Sequence, residues 1–551
     1  MTNYSSDNRN KPFSILLKNG NVVDAESGTV TKADVGITDG VITFVGAADR
    51  ATADVVIDCA GKMVVAGFVD SHMHIESSMV LPATFGKAVL PWGTTTVIAD
   101  PHELVNVGGA DALRLFLDET DKAQISVFTV VPSCVPATSF ETNGAGHFTA
   151  EQMKPFLSDE RIVGLGEVMS FGDVVAGEPE MMAKLSLFDG RPIDGHTAGM
   201  DEAMVDAYVE YGISNDHECY DDEGVLARYH KGMNIYIREG SAARNADALL
   251  HCVKEHGLDV SKFSFCTDDK HLSTIAQEGH ISHIVRKALE MGFTWGEVSK
   301  MASFNPCCYY HLAQRGNVRE GYVADIVITD ATCSDISCVI KDGKIIDKSI
   351  INDTNVVQNG YPNTVKFKTL TASDFVLSAV AQRNAIKIVD GQLLTEHVAL
   401  DSGEYKGLNI LATVERHGKN GNIAVCPLIG YNIKGGAVAT SVAHDSHNVI
   451  CAGDNAEDMA VACNRLRDIG GGYVIASDGE VALPCYGLMS PLGIDDAITG
   501  ISRLEHKAHE LGVNQNIDPF ITLSFLALPV IPQIRLLDTG LYDVQYAHFI
   551  K

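Results

Sequence analysis

The 551-residue chain is 46% apolar and 21% charged, too long for one ordinary domain and rich enough to build large cores. Its 42 Lys and Arg against 71 Asp and Glu give a formal charge of −29, which repels phosphate backbones and anionic lipid and so argues against nucleic-acid or membrane partners. "MTNYSSDNRNKP" has no apolar core of a signal peptide, "ITLSFLALPVIPQIRLL" is broken by Pro529 and Pro532, and the 13 cysteines contain no C-x-x-C pair, so reduced thiols in a cytoplasmic protein are expected.

The first element group, "ILLKNGNVVDAESGTVTKADVGITDGVITFVG", is a series of short β-rich runs split by Asn19-Gly20, Ser27-Gly28 and Asp39-Gly40, all hairpin signals. Far downstream "IKDGKIID" nearly repeats "LKNGNVVD". An internal repeat is one reading. The preferred one makes 1–61 and 317–360 two halves of one small β-sandwich, with 62–316 inserted between them.

The insert alternates short apolar runs with helical stretches such as "DALRLFLDETDKA" and "DEAMVDAYVEYG". Its candidate strands are "MVVAGFV", "TTTVIA", "ISVFTVV", "RIVGLG", "RPIDG", "YGISN", "MNIYI" and "FSFCT". Eight β/α units over this length predict a (β/α)8 TIM-like barrel, an α/β fold, with an open doubly wound sheet as the alternative. Residues 361–551 change to an α+β pattern. "GNIAVCPLIGY" and "GAVATSVAH" read as strands. "NAEDMAVACNRLRDIGGG" reads as a helix capped by Asn455, with Met459, Cys463 and Leu466 on one face and Gly470 at its end. "IASDGEVAL" signals a hairpin at Asp478-Gly479.

Chemistry collects at the strand ends. In "GFVDSHMH", His72 and His74 lie two apart and project to one side of a strand, at the mouth where barrel sites form. Two neutral imidazoles bind zinc, iron or manganese well, although an isolated H-x-H is more often a pair of surface histidines. Glu167 follows the fourth candidate strand, His196 the fifth, His217 the sixth and Asp268 the eighth. Each alone reads as structural. Together they read as a metal site assembled from converging strand ends.

This set resembles the amidohydrolase superfamily. "GFVDSHMHIESSM", "DPHE", "GEVM", "DGHTAG", "SNDHE", "CTDDKH" and "FLALPVIP" together resemble its adenine deaminase family, along essentially the whole chain. The resemblance implies hydrolytic deamination of adenine to hypoxanthine and ammonia, a step of purine salvage. It implies two divalent metals, manganese by family with Fe²⁺ or Zn²⁺ as alternatives, held by His72, His74, Glu167, His196, His217 and Asp268. Glu167 takes the bridging position. "LGEVM" has no lysine to carbamylate, which argues against dihydroorotase and dihydropyrimidinase relatives. Asp268 is expected to take the proton of the attacking water and pass it towards the leaving amine. Its neighbour Asp269, on a continuing strand, is expected to point away from the metals.

The acid that activates the ring is left open among His102 and Glu103 in "DPHE", Glu218 and Glu239, all expected at the mouth as substrate contacts. Ser133 and Cys134 are candidate pocket wall, with Cys134 an inert buried thiol. Glu76 is placed to orient a histidine or to lie at the surface. "AHDSHN" gathers His444, Asp445, His447 and Asn448 at a strand end, either closing the pocket with His447 as a substrate contact or forming a polar turn. "HIE" matches the H-x-E of the zinc nucleobase deaminases, but neither "NPCCYY" nor "LPCYGL" supplies P-C-x-x-C. The competing readings are another cyclic amidine or amide hydrolase, a non-catalytic scaffold, and a metal-storage protein. A homo-oligomer, a dimer first, is expected from the extra domains.

Overall fold

The computed structural model describes residues 13–48, 51–349, 360–390, 392–476 and 478–550. The two flanks share one eight-stranded sheet. Its order runs Lys344–Ile345, Ile336–Lys341, Ile326–Thr329, Met63–Ala66, Phe13–Asp24, Thr29–Thr38 and Val41–Gly46, with Ala53–Asp58 also paired to Phe13–Asp24. The two similar segments therefore lie in one sheet, on opposite sides of an insertion. The Asp342-Gly343 turn of the second segment touches the Asp39-Gly40 turn of the N-terminal flank: a side chain at Gly343 would meet Gly40 Cα at 2.6 Å. Asp39 and Asp342 take φ of 50° and 49°, the left-handed conformation of tight hairpins. Asn19-Gly20 departs from the prediction. It is no hairpin but an irregularity inside the continuous strand Phe13–Asp24, where the register with the next strand shifts between Leu17 and Gly20.

"MVVAGFV", predicted as one strand, breaks at Gly67. Met63–Ala66 belongs to the flanking sheet, while Phe68–Met73 starts the next one. A Cβ at Gly67 would stand 2.2 Å from Thr95 Oγ1, so only glycine lets the chain cross between the two sheets here.

The insert forms a curled parallel sheet. Five strands are hydrogen bonded in the order Ile193–Gly195, Ile162–Val168, Ser126–Val131, Thr94–Ala99 and Phe68–Met73. Three more follow as Asn215–Asp216, Asn234–Arg238 and Phe263–Cys266. The fifth and sixth meet where Ser214 N donates to Ile193 O at 3.4 Å. The last meets the first where Asp268 N donates to His72 O at 3.0 Å and His74 N to Asp268 O at 3.1 Å. Burial on both faces explains the near-continuous apolar runs, and all six residues of Thr94–Ala99 are buried. The helix predicted from "DALRLFLDETDKA" begins earlier, at His102, and reaches Thr120 with a break at Gly109. "DPHE" is thus a helix start rather than a loop.

Beyond 360 a second eight-stranded sheet forms, with Asn409–Val414 and Val449–Gly453 paired near its middle. Helix Ala456–Asp468 packs on it as predicted: the Asn455 side chain accepts from Asp458 N at 2.8 Å, and Met459, Cys463 and Leu466 are fully buried. Gly472–Ile475 and Gly479–Ala482 make the predicted hairpin. Among the described residues no helix is long and apolar enough to cross a membrane.

Candidate active site

The strand-end histidines His72, His74, His196 and His217 converge on Glu167. Its Oε2 accepts from His196 Nδ1 at 2.6 Å and lies 3.4 Å from His217 Nε2. Its Oε1 lies 3.4 Å from His74 Nε2 and 3.8 Å from His72 Nε2. Asp268 Oδ1 completes the ring of donors, 3.0 Å from His74 Nε2 and 3.6 Å from His72 Nε2. Burial raises a carboxyl's pKa, but the imidazoles of His102, His196 and His217 around it hold Glu167 well below the usual range. Burial raises Asp268 too, and the nearby imidazoles of His72 and His74 with the Arg238 guanidinium hold it low.

The backbone fixes this geometry. The Asp100 carboxylate accepts from Glu167 N at 2.9 Å, and a Cβ at Gly166 would meet its Oδ2 at 2.3 Å. The glycine before Glu167 is therefore a steric requirement. His74 Nδ1 donates to Asp100 O at 2.8 Å, which leaves Nε2 as the ligating nitrogen. His72 stacks on His217 with ring centres 4.1 Å apart, and it meets His74 edge-on, at 88°, rather than in parallel.

Neither ring nitrogen of His72 has a hydrogen-bond partner, nor has His217 Nδ1, although both residues are 1% exposed. Buried imidazoles left unbonded cost free energy unless an ion takes their lone pairs. The ligand sets whose donor atoms lie within 4.8 Å of one another include His72, His74 and Glu167; His72, His217 and Asp268; and Glu167, His196 and His217. Two of them share Glu167. This nitrogen and oxygen donor set fits divalent ions.

The cluster opens into a cavity of about 150 Å³. One wall is polar: His102, Glu218, Arg238, Asp269 and Asp445. The other is apolar: Met169, Leu393, Phe525, Leu528, Val530 and Ile531. Four of these come from "FLALPVIP", so the C-terminal segment covers the mouth with hydrocarbon.

Residues 63–356 match the amidohydrolase family, and 387–548 match the adenine deaminase C-terminal domain. The adenine deaminase of Desulfitobacterium hafniense (strain Y51) is 40% identical over 98% of this chain and 96% of its own. That of Halalkalibacterium halodurans is 39% identical over 97% and 95%, and that of Brucella melitensis biotype 1 is 36% identical over 98% and 94%. This chain belongs to the adenine deaminase family of the amidohydrolases.

Seen within an adenine deaminase, the other sequence candidates separate. His102 lines the cavity, with Nδ1 3.2 Å from Glu167 Oε1 and its ring 4.5 Å from that of His74. Glu218 lines it too, bound by Arg238 Nη2 at 3.2 Å. Arg238 also donates to Asp268 Oδ2 at 2.8 Å. Arg238 was missed by the sequence reading, although it ends the seventh strand and meets the same criterion as the other strand-end residues.

Glu103 and His447 stand otherwise than expected. The Glu103 carboxylate accepts from His444 Nδ1 and from His447 Nε2, and His447 Nδ1 accepts from Ala443 N at 3.1 Å. Both groups are spent on joining the C-terminal domain to the start of helix His102–Thr120. Burial lowers both imidazoles and Glu103 raises them; the outcome is about 9 for His444 and about 4 for His447.

Glu239 lies outside the cavity, 1% exposed, accepting from Ala246 N at 3.2 Å and lying 3.2 Å from Lys287 Nζ. Its role here is at a helix start. Asp269 does not point away. The strand ends at Cys266, Asp268 takes φ 57°, and the Asp269 carboxylate turns to the cavity, where Ser77 Oγ donates to it. Glu76 orients no histidine; it accepts from Leu104 N at 3.1 Å, and the carbonyl of Asp100 orients His74 instead. Burial pushes the Cys134 thiol to about 12, in keeping with an inert role.

Proposed function

We propose that this chain hydrolyses adenine to hypoxanthine and ammonia at the Glu167 cluster, inside a (β/α)8 barrel whose mouth is closed by the C-terminal domain. The observation that carries this reading is the Glu167-centred donor set opening into a small cavity lined in part by apolar side chains. Membership of the adenine deaminase family supplies the substrate. In this reading His72, His74, Glu167, His196, His217 and Asp268 hold two divalent ions, manganese first, with iron or zinc compatible with the same donors. Bound divalent ions lower the pKa of water and supply hydroxide at neutral pH.

The remaining work falls to the chain. Glu167, at the centre of the donors, places negative charge between the two ion positions. Asp268 takes the proton of the attacking water and returns it to the departing amine. Arg238 fixes its carboxylate for that transfer. Phe525, Leu528, Val530 and Ile531 hold the ring by its apolar faces and keep bulk water from C6. The domain pattern proposed is a β-sandwich from 1–61 and 317–360, the barrel 62–316, and the closing domain 361–551. Cytosolic purine salvage fits the 13 unpaired cysteines.

The test is ammonia release from a panel of purines and pyrimidines by manganese-loaded protein. Adenine should be turned over best. Ammonia from cytosine, or ring opening of a dihydropyrimidine followed by its loss of absorbance, with adenine inert would replace this reading by another amidohydrolase activity.

A further inference from the structure

We infer that the neutral carboxyl of Asp445, carried by the C-terminal domain, donates a hydrogen bond to a ring nitrogen on the C6 side of the purine, N1 or N7. The inference deepens the adenine deaminase reading and rests on it. Six carboxyl groups line the cavity: Glu103, Glu167, Glu218, Asp268, Asp269 and Asp445. The first five each accept a hydrogen bond from the protein, from His444 and His447, His196, Arg238, Arg238 and Ser77 in turn. Asp445 accepts none. Its Oδ1 is 3.8 Å from His102 Nε2, too far for a bond, and its Oδ2 is unbonded although the residue is only 3% exposed. Burial and the Glu103 carboxylate push Asp445 up to about 6, and burial together with Asp445 raises Glu141, whose Oε1 is likewise unbonded, so this acidic pair favours a retained proton that Asp445 can donate.

The loop cannot swing to relieve this. His444 and His447, on either side, are tied to Glu103. His444 N donates to Ser524 O at 3.1 Å. The fully buried Arg416 grips His447 O through Nε and Tyr486 O at 3.1 Å through Nη1. Asn448 Nδ2 donates to Thr142 O at 2.8 Å. A buried carboxyl held rigidly without a partner is unfavourable in the free protein and gains its bond when a ligand fills the cavity.

Position selects the edge of the base. One imidazole separates Asp445 from the ligand cluster: His102 Nδ1 lies 3.2 Å from Glu167 Oε1, while its Nε2 lies 3.4 Å from Glu103 Oε1 and 3.8 Å from Asp445 Oδ1. A purine with C6 at the cluster therefore presents N1 or N7 to Asp445, and N3 lies on the far edge.

The experiment measures binding of adenine and its 1-deaza, 3-deaza and 7-deaza analogues by manganese-loaded wild-type protein and Asp445→Ala, with metal content checked in both. Adenine and 3-deazaadenine should each lose about 10- to 100-fold in affinity in the variant. One of the other two analogues should bind wild type and variant within about twofold, and the missing nitrogen identifies the bonded atom. Equal losses for all four compounds, or no loss for adenine, would overturn the assignment. If the alanine variant does not fold, Asp445→Leu, which keeps the bulk and has no donor, carries the same comparison: its loss must again vanish for one deaza compound. Because the readout is affinity, a wild-type protein that binds the series yet releases no ammonia from adenine would sink the deaminase reading separately.

Discussion

Glu103 and His444, 341 positions apart in the chain, are hydrogen bonded to each other through Glu103 Oε1 and His444 Nδ1. His447 takes the second oxygen of the same carboxylate. One buried side chain beside His102 thus ties the C-terminal domain to the wall of the site.

Glu103→Gln should loosen that tie without touching the ligand cluster. Breaking a buried charged pair costs about 3–5 kcal/mol. We expect a lower Tm, a raised KM for adenine and easier proteolysis around 443–448, with metal content retained. An unchanged KM alongside a full loss of kcat would show that Glu103 acts in the chemistry rather than in docking.

Glu167→Gln should cost metal. A neutral amide between two cations no longer offsets their repulsion, and His196 exchanges a charged acceptor for at best a neutral amide oxygen. Elemental analysis should find fewer than two ions per chain and little ammonia release. Retention of both ions at wild-type rates would remove Glu167 from the centre. Chelation of the wild-type protein should abolish activity, and Mn²⁺ should restore it.

Asp268→Asn keeps the shape of the side chain and its place beside Arg238 but cannot take a proton. Loss of a general base typically lowers the rate about 10²–10⁴-fold. Asp269→Asn should behave differently: its carboxylate serves Ser77 and the cavity edge, so KM should rise more than kcat falls. The measurement is the full rate profile of each variant at equal metal content. A larger fall in kcat for Asp269→Asn would move the proton-transfer role to that residue.

Gly166→Ala should damage the site through packing alone. The new methyl group would lie 2.3 Å from Asp100 Oδ2, the atom that holds Glu167 N. Overpacking of this kind costs about 1–3 kcal/mol. Metal occupancy and activity should fall together, with the secondary structure intact by circular dichroism. Wild-type metal content would show that the strand end can shift without cost.

What the sequence determined by itself follows from local rules. The parallel strands are legible as short apolar runs because both faces of that sheet are buried, and the residues after them are legible because a strand's side chains repeat every second position. Helix Ala456–Asp468 could be read down to its cap at Asn455, because an N-cap bond reaches only three positions along the chain. Glu167 and the five donor residues grouped with it were found on those grounds. Only the tertiary structure decided which neighbours are spent elsewhere. Glu239 looked like a mouth residue, yet it bonds Ala246 N and sits beside Lys287. Asp269 looked turned away, yet the left-handed Asp268 redirects it. Glu103 looked free, and its partners lie 341 and 344 positions downstream. A side chain's hydrogen-bond capacity is shared among whatever the fold brings within about 3 Å, and for these carboxylates the chain brings partners from distances that no local periodicity records.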